Sequence, residues 1–437
     1  MVIEDLKGLL KDKNIIYDIF YEEGHQESFQ YRGDEPYSCE KKETRGVGLR
    51  VIKDGRIGFS STSDFSKLKE LVDTALTLSF YGEKVNIKLP WEKDLPEVKT
   101  ISNKTSLIKS EKLCSMAEEL ISLIKEKEPE VKIDLSIEKE YQYVRLANSE
   151  GFDASYEKII LGFGFDGLLV LEDGITWLSD FYNLSENPEL DFKRVSEDFC
   201  QLIKIAKKKV KINTGEYKVI LMPIPAAHFC SILFVGANGK QLEKNATPLI
   251  DKEGKQIAPT FLNIVDDGIY PFGYNTSPFD GDGIKRRSTK VIENGIFSNF
   301  LFDLVTAQKL NRKSTGNSDR SYGNMPRIQA TNIYVEPSSD YPLTKIIKDV
   351  NNGIIIYYML GAGQSNVLAG EFNWVINLGF KIENGEIIGR IKDCMFAGNL
   401  YEYLNKIILI GSEIKDLGNY YLPPIVLDKC KIVTKGI

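Results

Sequence analysis

The chain has 437 residues, 42% hydrophobic and 27% charged, which is the composition of a globular protein with room for two or three domains. Its formal net charge of −6 argues against direct binding to nucleic acid. No apolar run approaches the roughly 20 residues that span a bilayer, and the first residues lack the pattern of a signal peptide. The six cysteines are scattered without a CxxC pair, which argues against disulfides and against a cysteine-rich zinc site. We therefore predict a cytoplasmic protein that does not contact a membrane.

The predicted elements begin with a unit over about residues 1–88. A short helix comes first, and a buried strand follows at 15–20. A polar stretch rich in turn residues comes next, and then a hairpin whose turn is Asp54-Gly55. Asp-Gly favours this turn because both central residues of a tight hairpin need positive φ. An amphipathic helix at 68–76 closes the unit.

The same order of elements returns over about residues 105–212. An amphipathic helix precedes strands at 131–137 and 141–146, and a second hairpin is predicted at Asp173-Gly174. A helix at about 192–206 closes this unit as well. We therefore predict that residues 1–212 form an N-terminal α/β domain, built by duplication around a large sheet.

The pattern changes in residues 213–437, where helical periodicity becomes sparse and turn residues become frequent. Asn294-Gly295 and Asn384-Gly385 each lie between strand-like runs and predict two more hairpins. This half is predicted to be mostly antiparallel β. The fold class that follows is α+β, with a duplicated N-terminal region and a β-rich C-terminal domain.

Few residues point to catalysis. There is no HExxH, HExxxH, GxSxG or P-loop motif, and the only histidines are His25 and His228. His228 lies on a predicted helix and is a weak candidate for a metal ligand, because a hydrolytic zinc site needs several such donors. The glycines of 162–167 favour a bent strand over a nucleotide loop, and the acidic residues of 280–283 favour a turn over a calcium site.

Three polar, glycine-rich segments of the C-terminal half suggest a groove for an extended peptide. They cover residues 314–320, 329–332 and 361–366. Small residues let another backbone approach, and amide or guanidinium groups pair with peptide groups. The alternative is that all three are long turns. The predicted peptide- or partner-binding residues are Asn317, Arg320, Asn332, Gly361, Gly363 and Gln364.

A series of short motifs in a fixed order gives the chain a family resemblance. They include Gly46-Val47-Gly48 near the start, and later Phe279-Asp280-Gly281-Asp282-Gly283, Glu293-Asn294-Gly295, Ser314-Thr315-Gly316-Asn317 and Ala397-Gly398-Asn399. Over nearly its whole length the chain resembles the TldD/PmbA family. The resemblance implies a two-subunit zinc peptidase, with a chamber for unfolded or extended peptides. In it, TldD-type members carry HExxxH and a late cysteine ligand, whereas PmbA-type (TldE) members lack them.

The zinc motif divides the family, and this chain falls on the PmbA side. If His228 occupied the motif's second histidine, Pro223 and Ile224 would occupy the first histidine and the glutamate. The resemblance thus implies a non-catalytic subunit, with no catalytic residue or cofactor of its own and with zinc in a TldD-type partner. Two alternatives remain open. One is a stand-alone homodimeric binding or modulator protein without protease activity, similar to a modulator of DNA gyrase, and the other is an independent peptidase with an unrecognised site.

Overall fold

The computed structural model describes residues 2–91, 94–361 and 366–434. Its N-terminal half is one antiparallel sheet of six strands, in the order β3-β2-β1-β4-β5-β6. The strands are β1 Ile16–Arg32, β2 Glu35–Lys53, β3 Arg56–Thr62, β4 Lys132–Asn148, β5 Asp153–Leu171 and β6 Gly174–Asn183. The helices are α1 Val2–Leu10, α2 Leu68–Ser79, α3 Asn103–Ser106, α4 Ser110–Lys127 and α5 Phe192–Ala206.

The strand order is a mirror image about the β1–β4 pair. Each half of the sheet has three strands that neighbour one another in sequence, and each half is covered by its own helices. Leu6 and Leu71 bring α1 and α2 into one core, whereas Leu120 and Phe199 bring α4 and α5 into another. This is the arrangement expected of a duplicated unit; the boundary at residue 212 stays a prediction.

The N-terminal strands are much longer than their sequence indicated. The stretch after residue 20 was predicted to be turn-rich, but β1 continues to Arg32 and β2 begins at Glu35. That prediction was wrong because it relied on continuous apolar runs. In this part of β1 the buried Phe29 and Tyr31 are separated from the first apolar run by polar residues, and the paired part of β2 is mostly exposed. The strands predicted at 131–137 and 141–146 are likewise one strand, β4, whose polar middle residues hid its continuity.

The C-terminal half contains two larger sheets and a short ribbon. The strands of the first are β7 Gly215–Leu221, β14 Gly353–Leu360, β15 Glu371–Glu383, β16 Glu386–Ile391, β17 Cys394–Asn399, β18 Ile407–Ile410 and β21 Ile425–Thr434. Those of the second are β8 Ile264–Asp267, β9 Ser288–Glu293, β10 Ile296–Phe297, β13 Ile333–Val335, β19 Lys415–Asp416 and β20 Tyr420–Leu422. The ribbon pairs β11 Ser318–Asp319 with β12 Arg327–Ile328. The helices are α6 Pro223–Gly236, α7 Gly239–Glu243, α8 Leu304–Lys309, α9 Leu343–Val350 and α10 Leu400–Tyr403.

The first of these sheets closes on itself, because β14 pairs with β7 on one side and with β15 on the other. Helix α6 connects β7 to the second sheet and packs against β14 and β20. The described residues of the two C-terminal sheets pair antiparallel except for β7–β14 and β13–β20. The predicted α+β class is confirmed.

Three of the predicted hairpins have the expected turns. Asp54-Gly55, Asn294-Gly295 and Asn384-Gly385 all have positive φ. In the fourth hairpin the turn shifts by one residue to Glu172-Asp173, since Gly174 pairs with Leu171 as the first residue of β6. Across residues 2–91, 94–361 and 366–434, no helix is both long and apolar enough to cross a membrane.

Candidate functional site

Helix α6 lies directly after β7, where the resemblance places a zinc-binding helix. Its N-cap is Met222, whose N–H donates to Ile356 O at 3.0 Å and so fixes the helix start against β14. Pro223 occupies the first turn, where the missing N–H is not needed by the helix. The sequence therefore starts a well-formed helix with a residue that has no side-chain donor for a metal.

One face of α6 is partly open and the rest is buried. Ile224, His228 and Ser231, spaced at helical intervals, are partly exposed, whereas Phe229 and Leu233 lie in the main core of the C-terminal half. The His228 ring lies 6.3 Å from the Trp374 ring, centroid to centroid. Burial lowers the pKa of His228, so the imidazole is neutral at pH 7.

A groove of about 400 Å³ lies at the start of α6. Pro223 and Ile224 line it together with Phe199 of α5 and Tyr358 of β14, so residues from both halves of the chain form its walls. Charged residues border the apolar lining. Among them are Asp180 and Lys415, which form an ion pair with 2.6 Å between Asp180 Oδ1 and Lys415 Nζ. The groove is accessible and mainly apolar, as a site for side chains of an extended peptide should be.

Two of the predicted contact residues, Asn317 and Asn332, are buried around the acidic pair Asp266-Asp267. Asn317 donates through Nδ2 to Asp266 Oδ2 and accepts at Oδ1 from Thr315 Oγ1 at 2.7 Å. Asn332 donates to Asp267 O at 2.8 Å. Their side chains are 1% and 0% exposed, so in the isolated chain they hold two loops together. That Asn317 and Asn332 take part in peptide or partner binding stays a prediction. If they do, they act by positioning the two loops that they join.

Arg320, the third predicted contact residue, belongs to a buried ion cluster that joins the two halves. Its Nη1 donates to Asp18 Oδ1 at 2.6 Å, and Arg50 Nε donates to Asp18 Oδ2 at the same distance. Arg50 Nη1 also lies 2.8 Å from Asp282 Oδ1. Burial alone would raise the pKa of Asp18, but the two guanidinium groups hold it below its usual value.

The third glycine-rich segment is described only in part. Gly361, which follows β14, has a φ of 88° that suits glycine. Gly363 and Gln364 lie outside the described residues.

Comparison with known proteins identifies the architecture. The family model for the PmbA/TldA metallopeptidase C-terminal domain matches residues 214–434, and the model for domain 1 matches residues 17–79. The chain belongs to the PmbA/TldD family. It is 24% identical to a metalloprotease PmbA homolog of Haemophilus influenzae, over 88% of this chain and 85% of that protein. It is 27% identical to a zinc metalloprotease TldD homolog of Saccharolobus solfataricus, over 84% and 82%.

A solved structure agrees with the fold of this PmbA/TldD protein. TldE from Thermococcus kodakarensis superposes with a TM-score of 0.91 and 23% sequence identity, covering 99% of this chain and 100% of that one. At this level of identity the likeness concerns the fold.

The zinc site that the PmbA/TldD family name implies does not fit the donors of this chain. No group of three His, Cys, Asp or Glu side chains that could hold a metal occurs among the described residues. Cys230 lies on the buried side of α6, and burial raises the pKa of its thiol to about 12. Cys430 of β21 is buried as well, and its thiol pKa is also raised to about 12. Both thiols lie in the apolar core of the C-terminal half, where no group of three donors surrounds either one among the described residues.

Sequence reasoning missed the surface where the two halves meet. A Cβ at Gly46 or Gly48 of β2 would overlap Tyr322, and a Cβ at Gly162 of β5 would lie 2.6 Å from the Tyr274 hydroxyl. These glycines let C-terminal loops lie directly on the N-terminal sheet. The glycines inside strand patterns were the available signal, and the interpretation of 162–167 as sheet rather than nucleotide loop agrees with the strand found there.

Proposed function

We propose that this chain is a non-catalytic, PmbA/TldE-like subunit of a two-subunit zinc metalloprotease that acts on unfolded or extended peptides. A TldD-type partner supplies zinc, the base and cleavage, and this chain completes the peptide site. The observation that carries the proposal is the start of α6. Pro223 and Ile224 stand where a zinc peptidase of this family needs a histidine and a glutamate.

The surroundings of that helix support a binding role without catalysis. Ile224 and the aromatic residue Tyr358 line the groove of about 400 Å³, which can receive apolar side chains of a peptide. His228 is neutral and faces Trp374, and no carboxylate in the described residues forms an ion pair with it. The groove therefore offers contacts to a peptide. Carboxylates of Asp180, Asp198 and Glu413 border it, but no group of three side chains that could hold a metal ion occurs among the described residues.

The test is reconstitution with a TldD-type protein that carries HExxxH. We expect the two chains to co-purify, and we expect the pair to cleave an unfolded fluorescent polypeptide. The partner variant with glutamine in place of the motif glutamate should be inactive but still bind. Zinc analysis should assign the metal to the partner.

Two outcomes would contradict the proposal. Cleavage by this chain alone, abolished by a chelator and restored by zinc, would make it an independent peptidase. Failure to bind any TldD-type partner, with a stable homodimer in size-exclusion chromatography, would favour the stand-alone modulator.

A matched pair of variants then tests the groove itself. Ile224→Lys puts a charge into the apolar wall, whereas Lys193→Met removes an exposed charge from the outer surface of α5. In the reconstituted pair, Ile224→Lys should raise KM for the polypeptide and Lys193→Met should not. If both variants cleave like the unmodified pair, the groove does not bind the peptide.

A further inference from the structure

A second pocket, separate from the groove at α6, lies between the N-terminal sheet and the loops docked on it. It has a volume of about 210 Å³. Glu140 of β4 and Lys158 of β5 form part of its lining, and Arg286 and Thr331 line it from the C-terminal half. A water molecule takes up about 30 Å³ of liquid, so the space corresponds to about seven waters or one small organic molecule.

Two buried cations line this pocket without a direct ion pair to any described residue. Lys158 is 8% exposed and Arg286 is 9% exposed. Neither forms an ion pair within 4 Å with any described residue. Lys158 Nζ donates to Tyr274 O at 2.7 Å, which uses one of its three N–H donors. Buried charges are ordinarily paired in direct contact. Here carboxylates act on the two cations only from beyond ion-pair distance, Glu140 on Lys158 and the buried Asp266 and Asp280 on Arg286, so an anion can still bind either cation directly.

Arg286 is held in place by backbone oxygen atoms. Its Nη1 donates to Gly316 O at 2.7 Å, and its Nη2 donates to Ser318 O at 3.1 Å. The guanidinium is thus fixed by neutral acceptors, and its charge is not neutralised by them. A rigid cation of this kind is prepared for a ligand at little cost in side-chain entropy.

Thr331 and Glu140 also line the pocket. Thr331 is 2% exposed, and its Oγ1 makes no well-aligned hydrogen bond within the described part of the chain, although it lies near the Asp266 carboxylate. Glu140 is partly exposed, and its carboxylate forms no ion pair with a described residue, although Lys158 lies near it on the adjacent strand. The charged lining thus includes the cations of Lys158 and Arg286 and the carboxylates of Glu140 and Asp319, and no direct ion pair joins these cations to these carboxylates.

We propose that this pocket binds a small zwitterion, namely a free α-amino acid or a short peptide with both termini free. Its carboxylate lies toward Lys158, Arg286 and the Thr331 hydroxyl, and its ammonium group lies toward Glu140. Such a ligand supplies both missing charges at once, and its size suits the volume. The site goes beyond the proposed function, because it requires neither a partner subunit nor zinc.

Burial supports this assignment. It lowers the pKa of Lys158 to about 8, because the buried ammonium loses its hydration. A carboxylate bound beside Lys158 would favour its charged form.

The test is titration of the purified full chain, followed by calorimetry and by the thermal unfolding midpoint. L-Alanine and L-alanyl-L-alanine should bind and raise the midpoint, whereas N-acetyl-L-alanine methylamide should do neither. Propionate and ethylamine, which carry one charge each, should bind at least about tenfold more weakly than the better zwitterion, because each lacks one charged hydrogen bond. Tighter binding of L-alanine would identify a site for a free amino acid, and tighter binding of L-alanyl-L-alanine would identify a site for a short peptide.

Variants test the same assignment. Lys158→Met and Glu140→Gln should each weaken binding about tenfold or more, whereas the surface control Lys193→Met should leave it unchanged. Because Lys158→Met also removes the donor to Tyr274 O, the thermal midpoint of each variant is measured together with its affinity, and Glu140→Gln keeps the test decisive if Lys158→Met does not fold.

Three results would overturn the proposal. They are no binding of either zwitterion at about 10 mM, equal binding of the blocked analogue, and unchanged affinity in both pocket variants. Because this experiment uses the chain without its protease partner, its failure leaves the subunit proposal untouched. Failure of reconstitution likewise leaves this site untouched.

Discussion

The ion cluster between the two halves gives the sharpest test of how this fold is held together. Asp18→Asn replaces the carboxylate that accepts from both Arg50 and Arg320. Asp282 remains near Arg50, whereas Arg320 is left with neutral contacts, namely Gly281 O at 3.5 Å, the Phe20 ring at 5.2 Å and the new amide. The variant thus leaves two buried guanidinium groups with one carboxylate.

The expected cost follows from burial. The four side chains of the cluster are 0–2% exposed, so water cannot solvate the surplus charge. Breaking a buried pair by removing one partner costs about 3–5 kcal/mol, whereas an exposed pair contributes about 0–1 kcal/mol. We therefore expect Asp18→Asn to lower the free energy of unfolding by about 3–5 kcal/mol.

Urea denaturation followed by tryptophan fluorescence measures this loss. The control is Glu189→Gln, which removes a carboxylate 77% exposed and 3.6 Å from Lys104, and it should change the free energy by less than about 0.5 kcal/mol. Adding Arg320→Met to Asp18→Asn restores charge balance and should recover part of the stability. A cost below about 1 kcal/mol for Asp18→Asn, or no recovery in the double variant, would refute the reasoning.

Three other predictions address the metal, the interface and the buried acid. His228→Ala should leave the zinc content of the purified chain unchanged in elemental analysis; about one zinc per chain, lost in the variant, would contradict the subunit proposal. Gly48→Ala should lower the thermal midpoint, because its Cβ would overlap the Tyr322 carbonyl. The control is Gly8→Ala in α1, where a Cβ meets no atom within 4 Å, and it should raise stability by about 0.5–1 kcal/mol. Equal thermal midpoints of the two variants would contradict the close contact at Gly48. Burial raises the pKa of Asp266 to about 6, from about 4 in an unfolded chain. This stability contribution is complete below pH 4 and is lost as the pH rises through 6, so the unfolding free energy should fall by about 2–3 kcal/mol over that range. The fall should be smaller in Asp266→Asn, and an identical pH profile would contradict the assignment.

Local patterns determined which parts of the fold could be predicted. Asn294-Gly295 and Asn384-Gly385 specify their hairpins through the positive φ that these residues tolerate. The apolar spacing of α4 and α5 is likewise sufficient for an amphipathic helix. The hairpin between β1 and β2 lacks such a pattern, because the residues from 21 to 28 and from 35 to 45 are mostly polar and partly or fully exposed. Their strand structure comes from pairing between Gly24 and Thr44 and their neighbours, which is a property of the hairpin as a whole.

The candidate site shows the same limit. The absence of donors at Pro223 and Ile224 is visible in the sequence, because the motif is short and local. The environment of Arg320 cannot be predicted from the sequence in this way, because its carboxylate partner Asp18 is 302 residues away along the chain. Composition suggested that polar, glycine-rich loops contact a peptide. Burial shows instead that Asn317 and Asn332 first satisfy Asp266-Asp267.

Helix α6 explains how a metallopeptidase fold can persist without its metal donors. The buried side of the helix, with Phe229 and Leu233, fills the main C-terminal core, and loss of such side chains costs several kcal/mol. Pro223 and Ile224, which stand at two positions of the zinc motif, have no side-chain donor for a metal. Pro223 instead favours the start of the helix by fixing φ. Folding therefore depends on the buried residues of this helix, whereas metal binding would depend on the motif positions. The motif positions can change while the buried residues keep β7, α6 and the adjacent groove in place.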